Sequence, residues 1–309
     1  MNQLKISLFG KFCAQCEQQT IDGFDALKVQ ELFCYLLLYR QQAHHREKLA
    51  ALLWCDNTTH QSKRYLSKVL WQLQTAFENY HIPTDLFLIE PDWIRLNHEA
   101  DFWLDVGIFE QAYKLIRSPA KSKLSLETAQ FLQEVVPLYK GDLLEGWYQD
   151  WCIFERERFQ YMYLGILDSL IRYSESQKAY KQAINYATEI LRHDYAREHT
   201  HRRLMRLYYL TGNRTEALRQ YDRCAEALTK ELAVQPADST IALYHKIRAD
   251  CLGKSSAELT APDHTPPAAT PTLEKTLTQL KHLQMTLTHL QEQTQQEIEK
   301  VESVINGSD

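Results

Sequence analysis

The chain has 309 residues, with 44% hydrophobic and 24% charged positions and a formal net charge of -5. That length allows two domains plus extra segments, and the balance is that of a folded protein, not a disordered or fibrous one. The longest nearly apolar run, Leu32 to Tyr39, is far too short to span a bilayer.

Near the start, Lys5 and Lys11 bracket only five residues, which leaves no room for a signal-peptide core. The expectation is a cytoplasmic protein with no membrane partner. Seven cysteines at scattered spacings suit a reducing compartment.

"LKISLFG" alternates apolar Leu4, Ile6 and Leu8 with polar neighbours and predicts a half-buried strand. "KFCAQCE" and "QQTIDG" follow as short strand candidates. Cys13 and Cys16 form a lone C-x-x-C with no second pair at zinc-site spacing, so they read as ordinary strand residues. Ala26 to Arg40 predicts a helix buried on most sides, and His45 to Trp54 a short second one. "NTTH" supplies N-cap residues for a third helix, from about Gln61 to Asn79. Its apolar stripe is Leu66, Val69, Leu70, Leu73 and Phe77. Leu86 to Asn97 predicts a hairpin around Pro91-Asp92. His44-His45 and His199-His201 read as surface residues.

From Ser62 to Phe77 the third helix carries Lys63, Arg64 and Lys68 and no acid. Its polar face is Arg64, Ser67, Lys68, Trp71, Gln72 and Thr75, and Arg95 lies on the hairpin. Arg and Gln can read base edges bidentately, while Lys neutralises phosphate. These eight residues are the candidate contacts for double-stranded DNA. Against that reading, residues 1–105 hold ten Lys/Arg and thirteen Asp/Glu, a net of -3, whereas DNA-binding domains are usually basic.

Beyond Asp105 the periodicity predicts helices at about 105–117, 125–139, 150–175, 178–192, 197–211, 214–233 and 237–252. "AYKQAINYATEIL" aligns with "NRTEALRQYDRCA" at an offset of 34 residues, the period of tetratricopeptide helix pairs. The spacing Gly141 to Gly146 starts like a phosphate loop, but Trp147 and Tyr148 stand where its Lys and hydroxyl belong. Trp147 and Trp151 instead suggest a packed corner between the first helical layer and the repeat array. From Arg192 to Arg223 there are eight arginines, read as a solvated face, with docking of an acidic partner or DNA phosphate as the alternative.

Gly253 to Pro271 is rich in Pro, Ala, Ser and Thr and predicts a flexible linker. Leu273, Thr276, Leu280, Leu283, Leu287, Leu290, Thr294, Glu297, Val301 and Val304 then follow alternating three- and four-residue steps, a coiled-coil pattern.

"LKVQELFCYLLLYRQQAHHREKLAALLW", "YLSKVLWQLQTAF" and "PDWIRL" together resemble the OmpR-like winged helix-turn-helix of the bacterial SARP/AfsR regulators. "LYKGDLLEGWYQDWCIFERER" and "LTKELAVQPADSTIALYHKI" resemble the bacterial transcriptional activation domain that follows it there. The resemblance covers roughly residues 4 to 250. It implies a DNA-binding winged helix over 1–104 and a TPR-like activation domain over 105–252; with the linker over 253–271 and the coiled-coil helix over 272–306 read from composition and heptad spacing, the expected fold is mainly α. It further implies a non-enzymatic transcription regulator that contacts RNA polymerase and uses no cofactor or metal. Self-association through the coiled coil, or a hetero-partner there, is expected. The competing expectation is a repeat-and-coiled-coil scaffold whose winged helix no longer reads DNA.

Overall fold

The computed structural model describes residues 4–251, apart from 18, 22, 23, 25, 81, 83–85, 98 and 118–123. The linker and coiled-coil expectations therefore lie outside the described residues. Within them the chain is mainly helical.

The head opens with β1 (Leu4–Ser7), β2 (Cys13–Cys16) and β3 (Gln19–Thr20), followed by α1 (Leu27–Leu38). Next come β4 (His44–His45), α2 (Arg46–Leu53), α3 (Thr59–Asn79), β5 (Phe87–Ile89), β6 (Trp93–Leu96) and β7 (Phe102–Leu104). One sheet has the order β3-β2-β1-β7, with β7 parallel to β1. The other has the order β4-β6-β5 and is antiparallel. In the first sheet Leu4 faces Cys16 and Ile6 faces Ala14 across the ladder, and all four are buried. That is the period-2 pattern of a strand with one face on a core. Cys13 is only partly buried while Cys16 is buried, so the two thiols divide between the faces.

The helical array follows: α4 (Asp105–Arg117), α5 (Leu126–Val135) closing in a 3-10 turn, α6 (Asp150–Ser176), α7 (Tyr180–His193), α8 (Glu198–Leu210), α9 (Arg214–Leu232) and α10 (Asp238–Arg248). Ala183 and Ala217, the equivalent positions of the repeat, are both fully buried. A methyl there lets neighbouring helices approach closely. Arg203 ties α8 to α6. Its guanidinium donates to Asp168 Oδ1 at 2.8 Å and to Glu175 at 2.9 and 2.7 Å.

Between α5 and α6 lies a corner, residues 139–149, that joins head to array. It is built on backbone pairing. Gly10 N–H donates to Asp142 O at 2.9 Å, Leu144 N–H to Leu8 O at 2.9 Å and Glu145 N–H to Gly10 O at 2.9 Å. Gly10 sits at φ +79°, the left-handed region that glycine enters without strain, and its Cα lies 3.6 Å from where a Cβ on Gly141 would stand. Arg156 of α6 reaches back to donate to Leu143 O at 3.1 Å, Leu144 O at 3.1 Å and Trp147 O at 2.9 Å. Trp151, 7% exposed, meets Tyr35 of α1 edge-on at 5.5 Å. The tryptophan corner thus fastens the array to the head, not only one helical layer to the next.

Two histidine expectations are corrected. His44 is buried, and its Nε2 lies 3.0 Å from Tyr39 O. His201 is fully buried between Tyr195 O at 2.8 Å and the Gln220 amide at 2.7 Å. Both sit where backbone or amide partners meet the ring, and burial pushes both imidazoles below their ordinary value. They are neutral structural pins. His45 and His199 are the more exposed member of each pair.

Asp105 starts α4 under β1. Its carboxylate accepts from Leu8 N–H at 2.8 Å, Phe9 N–H at 3.0 Å and Val106 N–H at 2.7 Å. Burial pushes its carboxyl from the ordinary 3.8 up to about 6, against the opposing pull of those bonds. Between these values the folded protein keeps a proton that the unfolded chain has released. This group's contribution to stability is therefore full at low pH and falls as pH rises through the window, by about 3 kcal/mol in all. Urea unfolding across that range, with Asp105→Asn as reference, should show the wild type losing stability relative to the variant and levelling off above the window. Parallel curves would show that Asp105 does not titrate there.

Candidate nucleic-acid interface

α3 is positioned by its own apolar stripe. Leu66, Val69, Leu70, Leu73 and Phe77 are all buried, so the opposite face must look outward. Its start is fixed by a capping box between Thr58 and Gln61, which satisfies backbone N–H groups that the first turn leaves open. α2 packs before it, and the short connection between them keeps the two helices in the order of a helix-turn-helix.

Each expected contact residue has a definite place. Arg64 and Lys68 are exposed, one turn apart, and neither has a hydrogen bond or ion pair among the described residues. Trp71 is 64% exposed on the same face. Gln72 and Thr75 are half-buried further along. Lys63 is different, because it pairs with Glu47 of α2, and that bond holds the Glu47 carboxyl below its usual value. Ser67 is engaged as well. Its hydroxyl donates to Lys63 O at 3.0 Å and accepts from Arg46 Nη2 at 3.2 Å.

The hairpin of β5 and β6 turns tightly, with Glu90 N–H donating to Trp93 O at 2.8 Å. Arg46 N–H, at the start of α2, donates to Asp92 O at 2.9 Å, and β4 pairs with β6, so both hold the hairpin beside α2. Trp93, 45% exposed, stands edge-on to His45 at 5.2 Å. Arg95 is exposed on β6, with Glu90 at 4.0 Å. Exposed pairs of this kind contribute little energy, yet each carboxylate offsets the local positive potential.

Sequence reasoning passed over Arg46 and Trp93. Arg46 is linked to α3 through Ser67 and to the hairpin through its own backbone. Its only signal in the sequence was a cation at the start of α2. Trp93 was read as part of the hairpin motif, and its exposure becomes visible only once β4 pairs with β6.

Among the described residues there is no helix long and apolar enough to cross a membrane, and no cluster of three His, Cys, Asp or Glu that could hold a metal ion.

Comparison with known proteins places this geometry. Residues 104–248 match the family of the bacterial transcriptional activator domain. The fold is similar to that of Mycobacterium tuberculosis EmbR, solved in complex with a low affinity phosphopeptide. The TM-score is 0.66 at 15% identity, over 81% of this chain and 66% of that one. The chain thus spans about two thirds of EmbR's length. No curated protein matches the sequence. The matched activator domain thus follows directly on the three-helix, two-sheet head.

Proposed function

We propose that the chain is a sequence-specific DNA-binding transcription regulator whose head acts as a winged helix-turn-helix. α3 enters the major groove, and the β5–β6 hairpin lies along the phosphate backbone. The observation that carries this reading is the outward face of α3: Arg64, Lys68 and Trp71 exposed on a helix whose other side is wholly buried. Arg64 and Gln72 are assigned to base edges. Lys68 and Arg95 are assigned to phosphates. Lys63, Ser67, Trp71 and Thr75 complete the contact face. The helical array contacts RNA polymerase, a role that rests on the matched activator domain. Residues 272–306 pair two chains, so that two heads meet repeated half-sites with a raised effective concentration.

One observation favours the scaffold reading. Lys63 and Arg95 face Glu47 and Glu90, which leaves Arg64 and Lys68 as the unpaired cations of α3. A head with so few free charges binds non-specific DNA weakly.

The deciding experiment is a competition titration of the full chain with promoter and random duplexes over a range of salt. Tighter binding to the promoter is expected. Two to four phosphate contacts per head should give a slope of log affinity against log salt of about -2 to -4. Equal, weak binding to both duplexes supports the scaffold.

Substitutions separate the roles on α3. Arg64→Ala should relax base preference, by about 1–3 kcal/mol per lost bidentate contact. Lys68→Ala should weaken every sequence alike. Glu47→Gln releases Lys63 and should tighten binding to any duplex. Unchanged binding in all three variants, with circular dichroism showing them folded, places the DNA on another face.

A further inference from the structure

A groove of about 500 Å³ opens on the array, between α6, α8 and the start of α10. Its walls are Arg172, Arg202, Arg206 and His199, with Asp168 and Glu175 on the α6 side. Most arginines of the array are spent on structure, and the groove can be sorted on that basis. Arg203 is only 12% exposed and is shared between Asp168 and Glu175, while Arg172 takes the second oxygen of Asp168 at 2.8 Å. Those two carboxylates and two guanidiniums neutralise one another.

Arg202 and Arg206 remain. Arg202 donates to hydroxyls, those of Ser239 and Thr240 on α10. Arg206 is exposed and makes no hydrogen bond or ion pair among the described residues. Glu198, one turn before Arg202, is occupied by the Ala237 N–H and the Thr240 hydroxyl. Two guanidiniums therefore stand in a concave site with no carboxylate among the described residues bonded to them. The exposed His199 lies on the same face of α8.

We infer that this groove is a docking site for an acidic peptide segment of a partner protein. The match is one of charge and spacing. Arg202 and Arg206 are four residues apart, about 6 Å along the helix axis. Alternate residues of an extended chain are separated by about 6.6 Å, so two carboxylates two positions apart can each meet a guanidinium fork. Such charge-assisted, bidentate pairs are the stronger kind of hydrogen bond. A B-DNA duplex is too wide to seat in a cleft of this size. The inference does not depend on whether the head reads DNA.

The test is fluorescence anisotropy of the full chain with a fluorescein-labelled peptide in which Glu alternates with Leu and Ser. A Gln-for-Glu peptide is the neutral control. The Glu peptide should bind and the Gln peptide should not. Arg202→Glu combined with Arg206→Glu should weaken binding by at least about tenfold. Because Arg202 helps hold α10, Arg206→Ala serves as the variant that breaks no internal bond, and it should cost about threefold to tenfold. The charge-matched pair Arg192→Glu and Arg219→Glu, elsewhere on the array, should leave binding unchanged. No binding by the wild type overturns the proposal. So does equal loss in the Arg192 and Arg219 control, or unchanged binding by Arg206→Ala. If the groove variants instead lose affinity for a random duplex while peptide binding is unaffected, the groove meets phosphate and the peptide assignment is wrong.

Discussion

The fold turns on how the corner between α5 and α6 satisfies its own backbone. A segment outside any helix, lying between two cores, carries N–H and C=O groups that must find partners once water is excluded. Here they come from three directions. Residues 8–10, just past β1, pair with residues 142–145, Asp105 accepts the N–H groups of Leu8 and Phe9, and Arg156 supplies donors to three carbonyls. Head and array meet on this shared polar frame. A continuous apolar cluster surrounds it, running from Leu4 and Phe9 through Phe109 and Phe159 to Leu207. Ion pairs brace the same boundary, because Glu110 of α4 bonds both Arg40 at the end of α1 and Arg158 of α6.

This arrangement orders the functional surfaces. The outward face of α3 belongs to the head, and the arginine groove belongs to the later helices of the array. Both are set by buried stripes on the far sides of their helices, so neither needs a loop to hold it. Charge is allotted in the same way on both surfaces. Some cations are spent on partners: Lys63 on Glu47, Arg203 on Asp168 and Glu175. Those left over, Arg64 and Lys68 on α3 and Arg202 and Arg206 on α8, are the ones assigned above to DNA and to an acidic peptide.

Much of this was legible from periodicity. The stripe Leu66, Val69, Leu70, Leu73 and Phe77 forced α3 into its orientation, and the alanines at 183 and 217 marked the close-packed repeat. What the pattern could not carry was contact between distant residues. Trp151 meets Tyr35, more than a hundred positions away, and no local period records that. β4 and β7 are two and three residues long, strands only because β6 and β1 lie beside them. His44 and His201 looked like surface residues because a buried imidazole leaves no apolar signature. Only the carbonyl or amide that meets it reveals the burial. For α3, the sequence showed which residues share the face. It could not show that Glu47 and Glu90 would lie against Lys63 and Arg95.

The central claim is that the corner makes head and array one cooperative body. Native-state hydrogen exchange of the full chain, with and without Arg156→Ala, tests it directly. Amides in the middle of α1 and in the middle of α6 should open with the same free energy, and the substitution should lower both together by about 2–3 kcal/mol, as three carbonyls lose a charged donor. If α1 opens independently of α6, and Arg156→Ala weakens only the array, head and array are separate folding units and the account of the corner is wrong.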